Sequence, residues 1–249
     1  MGALMRHGYL MTAVVVIGLL AAVGVACGGG DGEEAAQSTV APTGGATGTP
    51  AAATTAIPEA VQEQLRSMVL QLSDVPAGFS QTEESFSTNA DVAGAGDDAA
   101  EALAKLTEWG RVAGHGVVFS PGSSDQGGIL IVDSTVSLYT NDAGASASFA
   151  DAVNTARTTD WSATAGASDV SVEEIPPLDI ADEMLWLRLS GTAVFGEPTT
   201  EQAFIQDVVL LRVGRVRGSV SIVSSAADVA LVVENMVRTQ AANMEAGLE

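Results

Sequence analysis

The stretch from Arg212 to Arg217 reads "RVGRVR" and gathers Arg212, Arg215 and Arg217 in a chain with 10 basic residues against 31 acidic ones. Guanidinium groups only donate hydrogen bonds, so a cluster of them can receive an anion such as a carboxylate or a phosphate. The competing use is ion pairing with neighbouring acids, which this composition supplies in excess. A second feature is the pair Trp186 and Arg188, on the strand face opposite Leu185, Leu187 and Leu189. That face is either covered by a helix or open as a ligand face.

Other chemistry is sparse. A Ser-His-Asp relay would have to use His115, and no G-x-S-x-G elbow accompanies it. In "RVAGHGVVF" the residue stands between glycines at the start of a strand and reads as a loop or edge histidine. Two histidines, His7 and His115, and the single Cys27 are too few for the common zinc sets. No phosphate-binding loop or dinucleotide fingerprint is present. Asp91, Asp97, Asp98 and Glu101 cluster, but without EF-hand spacing, and read as a solvated acidic loop. No catalytic set, metal site or cofactor is expected. A pair of acids that meets only in space, as in glycoside hydrolysis, stays open, although aromatics for sugar platforms are only 4%.

The charge balance also limits partners. A formal charge of −21 repels nucleic acid and anionic lipid headgroups. With one cysteine no disulfide can form within the chain. That cysteine, Cys27, stands where an apolar run ends and "GGGDGEE" begins. Arg6 and His7 precede the run Leu10–Ala26, which would span roughly 26 Å as a helix, slightly short for a bilayer core. A basic start, an apolar middle and small residues before a cut site make a secretory signal. The segment Val23-Gly24-Val25-Ala26-Cys27 resembles the lipobox of bacterial lipoproteins, with Gly24 where that family usually has leucine. The resemblance implies a diacylglycerol on the Cys27 sulfur, cleavage after Ala26 and a cell-membrane anchor on the extracytoplasmic face. Acyl chains on one residue hold a protein stably, at about 0.8 kcal/mol per buried CH₂.

Residues 1–26 are therefore read as a signal peptide and 27–57 as the lipidated cysteine with a flexible tether. The tether is rich in Gly, Ala, Thr and Pro, cannot offset its ordering entropy, and would reach roughly 30 Å. Residues 58–249 form one domain. Pro58 opens a helix with Val61, Leu65, Met68 and Leu72 on one face, and residues 87–99 read as a loop. "ILIVDSTVSLY" alternates apolar residues with Asp133, Thr135, Ser137 and Tyr139. Asn141 or Asp142 caps a helix carrying Ala145, Phe149, Ala152, Val153 and Ala156. A hairpin turns at Gly214 and Arg215, and Ser225 with Asp228 forms a capping box ahead of a closing helix. The class is α+β, an antiparallel sheet covered by helices.

The order of elements, helix, "VPAGF" turn, strands, helix, hairpin and closing helix, resembles uncharacterised bacterial lipoprotein domains. It is also similar to PsbP-like and PknH-sensor-like envelope domains, although the cysteines of PknH-type sensors are missing. The resemblance carries no site residues. The reading that follows is a membrane-tethered, non-enzymatic binding or interaction module for an unknown protein or small molecule. The alternatives are a carrier of an apolar ligand such as a lipid, held between sheet and helices, and a carboxylate-based hydrolase.

Overall fold

The computed structural model describes residues 56–249 apart from 123–127, 163–166, 196–199 and 226–228. The leader, Cys27, most of the tether and Asp228 of the capping box lie outside the described residues. Helices α1 (Glu59–Met68), α2 (Asn89–Gly94), α3 (Ala99–Glu108), α4 (Asp142–Thr158) and α5 (Ala230–Ala246) surround seven strands. These are β1 (Phe79–Ser87), β2 (Arg111–Pro121), β3 (Ile129–Tyr139), β4 (Ser168–Ile175), β5 (Glu183–Phe195), β6 (Thr200–Val213) and β7 (Val216–Ser224). The strands form one sheet in the order β1-β2-β3-β7-β6-β5-β4, every neighbouring pair antiparallel. The α+β class holds.

The first face of the sheet carries the larger core. Val117, Ser134, Val220, Val209 and Trp186 lie in one register across β2, β3, β7, β6 and β5. Leu65 and Met68 of α1 and Val233, Met236, Val237 and Met244 of α5 pack over them, each at most 2% exposed. Among the described residues, two polar atoms of this face, His115 Nδ1 and Asp207 Oδ2, are buried without a hydrogen-bond partner, while others are satisfied internally. Ser134 Oγ donates to Gln240 Oε1 at 2.5 Å and accepts from the Leu70 amide at 3.0 Å.

The second face changes character along its width. One register reads Ser85, Gly116, Thr135, Ser219, Leu210, Leu185, from β1 to β5. The next reads Glu83, Val118, Asp133, Ser221, Val208, Leu187. The β5–β6 half is thus leucine and valine, and α4 lays Phe149, Ala152 and Ala156 on it. The β1–β2–β3–β7 half is mostly serine, threonine and glycine, with Glu83, Val118 and Asp133 among them. Since side chains alternate across a strand, each strand had to supply this polarity at every second position.

Four sequence expectations are corrected. Helix α1 ends at Met68, because Val69 is extended; Leu72 falls past it and is 52% exposed. Residues 89–94 are helical, not loop: Thr88 Oγ1 accepts from the Asp91 amide, and the Asp91 carboxylate accepts from the Thr88 amide at 2.8 Å. His115 is inside β2 and 3% exposed, because β2 starts at Arg111 and the histidine faces α1. Helix α5 starts at Ala230 after Val229, with no side-chain cap.

Candidate functional site

A cavity of about 140 Å³ opens between the polar half of the second face and helices α3 and α4. Its floor follows a third register, Ser87, Gly114, Ser137, Arg217, with Arg212 and Glu183 continuing it beyond the cavity. Ser85 and Thr135 complete the floor, Ser148 and Asp151 come from α4, and Lys105, Leu106 and Trp109 come from α3.

Arg111 lies on this floor in the space that a side chain at 114 would fill. A Cβ on Gly114 would stand 2.3 Å from Arg111 Nη2. A bulge between Arg111 and Ala113 turns the arginine onto this face. Its guanidinium donates from Nε to Ser137 Oγ at 3.2 Å, from Nη2 to Ser87 Oγ at 2.8 Å, and from Nη1 to Ser87 O and Asn89 Oδ1. Asn89 also donates to the Arg111 carbonyl at 2.9 Å, so the capped turn of α2 holds this residue at both ends. Arg111 is 7% exposed. Burial, with the nearby charge of Arg217, pulls its pKa down to about 10.

Arg217 enters from β7 and donates from Nη1 to Ser148 Oγ at 3.0 Å and Ser148 O at 3.3 Å. Ser148 Oγ in turn shares a 2.5 Å hydrogen bond with Tyr139 Oη. Among the described residues neither Arg111 nor Arg217 has an ion-pair partner. The acid in the lining, Asp151, is taken by Lys105 at 2.7 Å. His115 borders the cavity through its place in β2, while its side chain lies on the other side of the sheet, where Nε2 meets Glu84 at 3.2 Å. Burial lowers the His115 pKa, with Glu84 opposing, so the ring is neutral at pH 7.

A close approach fixes the walls. A Cβ on Gly144 would fall 1.8 Å from the Trp109 carbonyl oxygen, so the start of α4 abuts the end of α3 as only glycine permits. Asn141 Oδ1 caps α4 by accepting from the Gly144 amide at 2.9 Å.

No family model matches the chain, and no curated protein matches it. Among solved structures it is similar to the extracellular domain of PknH from Mycobacterium tuberculosis, at 10% identity and a TM-score of 0.49. That match covers 75% of this chain and 95% of the other.

The sequence-derived candidates separate in space. Arg212 is neutralised by Asp182 at 2.9 Å and by a short contact to Glu183, and it donates to Gly214 O. Arg215 reaches the Tyr139 carbonyl at 3.4 Å. Arg217 of the three lines the cavity. Trp186 is 4% exposed and donates to Asp207 Oδ1 at 2.7 Å, and Arg188 donates to the same oxygen at 2.9 Å. These two serve a buried carboxylate on the first face, not an open ligand surface. Of the acidic cluster, Asp91 and Asp98 cap α2 and α3. Sequence reasoning did not single out Arg111. The available signal was "GHG", two glycines on one strand face beside an arginine, in register with the Ser137 and Arg217 faces.

Proposed function

We propose that the chain is an extracytoplasmic lipoprotein, anchored through Cys27, whose folded domain is a non-enzymatic binding module for a small anion in the α3–α4 cavity. The observation that carries the reading is the pair Arg111 and Arg217, both lining the cavity and, among the described residues, neither in an ion pair, with the Asp91 carboxylate acting on Arg111 only at longer range. A buried cation without a counter-charge is costly, and an incoming anion removes that cost. The lipobox supports the anchor, and the net charge of −21 argues against nucleic acid as partner. Among the described residues no helix is long and apolar enough to cross a membrane.

The cavity suits the alternatives poorly. At about 140 Å³ it lies below the usual range for drug-sized ligands, and serines and guanidiniums line it. An acyl chain would leave those donors unpaired. A carboxylate-based hydrolase would need two facing acids, whereas the lining holds Asp151 alone, already bound to Lys105.

Thermal unfolding of the full chain against a panel of small anions tests the reading. A true ligand at 100 times its Kd adds about 2.7 kcal/mol of stability, rising further with the logarithm of its concentration, and does so for one anion and not others at matched ionic strength, which a general salt effect does not. A panel that leaves Tm flat, or shifts it only in proportion to ionic strength, removes the proposal. Mass spectrometry of the membrane-extracted chain tests the anchor: a diacylated N-terminal Cys27 supports it, and an intact Met1 with a free thiol refutes it.

A further inference from the structure

We infer that the cavity selects a tetrahedral dianion, phosphate or the phosphate of a small monoester, over a carboxylate. The inference rests on the anion-binding reading above. Charge balance comes first. Lys105 and Asp151 cancel, so the lining carries two unbalanced positive charges, Arg111 and Arg217. A singly charged carboxylate offsets one of them.

Donor chemistry comes second. A serine hydroxyl has one proton to give and lone pairs to accept. Ser87 and Ser137 Oγ accept from Arg111, and Ser148 Oγ accepts from Arg217. Arg111 therefore holds the Ser87 and Ser137 oxygens from one side and leaves their hydroxyl protons to point elsewhere, while Ser148 Oγ is shared between Arg217 and Tyr139 Oη. On Arg217, Nε and Nη2 have no partner among the described residues, an edge matched to a two-pronged contact with an oxyanion. The site's charged donors, Arg111 and Arg217, face an acid, Asp151, already held by Lys105, so donors predominate, which suits a ligand made of acceptors alone.

Geometry comes third. The donors arrive from the floor strands β1 and β3, from β2 and β7 on either side of β3, and from α4 above. A planar carboxylate fills one fork in one plane. A tetrahedral oxyanion presents oxygens in all these directions. The volume agrees: a cavity of about 150 Å³ holds a benzene-sized molecule, so about 140 Å³ takes an oxyanion with a short extension at most.

Isothermal titration of the full-length chain at low ionic strength decides the matter, with inorganic phosphate, sulfate, glycerol phosphate, succinate and acetate as probes. Phosphate and sulfate should bind at least about tenfold more tightly than succinate or acetate. Tighter binding of glycerol phosphate than of phosphate identifies a monoester as the ligand, and the reverse identifies the free ion. Arg217→Gln should weaken phosphate by about tenfold or more, the size of a lost hydrogen bond to a charged group. Arg217→Lys, which keeps the charge but loses the fork, should recover only part of this, and Arg238→Gln on α5 should leave it unchanged. Arg217→Lys also stands in if Arg217→Gln does not fold, as checked by circular dichroism. Succinate binding above phosphate, still dependent on Arg217, overturns the tetrahedral selection and leaves the anion pocket standing. Phosphate binding indifferent to both Arg217 variants overturns the site. No binding of any probe overturns both.

Discussion

Arg188 and Arg111 are both held against the sheet, on opposite faces, and they are satisfied in opposite ways. Arg188 meets Asp207, a carboxylate 1% exposed that also accepts from the Trp186 indole. Arg111 meets only neutral oxygens, from Ser87, Ser137 and Asn89. The first is a closed arrangement with charge balanced inside the fold, beside a continuous apolar core. The second leaves positive charge unbalanced next to a cavity. The difference teaches where to look for a binding site: the informative arginine is the one whose partners cannot cancel its charge.

The largest effect should come from breaking the closed arrangement. Asp207→Ala strands the half-buried Arg188 and the buried Trp186 N–H and should cost about 3 kcal/mol in urea unfolding. Replacing both members, Asp207→Leu with Arg188→Met, should recover much of that loss, because the uncompensated charge goes as well. A loss below about 1 kcal/mol for the single change would show that the pair is not balanced as described.

On the other face, Gly114→Ala should cost about 1–3 kcal/mol by pressing on Arg111 Nη2 and on the Val136 carbonyl at 3.0 Å. If the arginine is the main obstacle, Arg111→Met combined with Gly114→Ala should cost less than the sum of the singles. Additive losses would place the strain on the Ser87 hydroxyl at 2.9 Å and the Val136 carbonyl instead.

Much of the architecture could be read from local pattern, because period-two alternation in β3, β5 and β7 and the Asn141 cap are local signals. The site was legible only in fragments. The alternation on β7 already put Arg217, Ser219 and Ser221 on one face. That Arg217 would face Ser137, and that Arg111 would fill the notch at Gly114, depends on register between strands far apart in sequence. Proximity in sequence also misled: Arg212 and Arg217 are direct cross-strand neighbours, yet Glu183 and Asp182 neutralise one and leave the other. His115 misleads for a similar reason: flanking glycines resemble a loop, and the burial of the ring depends on α1 packing over its face of β2 from elsewhere in the chain.

Asp133 gives a test by pH on the same polar face. It is half-buried, and burial with the like charge of Glu83 pushes its pKa up to about 7. The folded chain then holds a proton that the unfolded chain releases above about 4. Its contribution is complete below that value and is lost as pH rises to about 7, so stability should fall across this window and level off above it. Asp133→Asn should remove that part of the slope, as measured by urea midpoints from pH 4 to 8. An unchanged slope would show that the carboxyl is solvated.

The smallest effect expected belongs to a third kind of arginine. Arg157 pairs with Glu174 at 2.8 Å, with side chains 53% and 52% exposed. It has the partner that Arg111 lacks and about twice the solvent exposure of Arg188, whose side chain is 24% exposed. In water the Coulomb gain is small, two long side chains lose freedom, and salt screens what remains. Arg157→Ala should therefore change stability by less than about 1 kcal/mol, and by less still in 1 M salt. A loss approaching that of Asp207→Ala would mean that having a partner, rather than being buried without one, sets the energy of these arginines. The contrast between the two faces would then lose its physical basis.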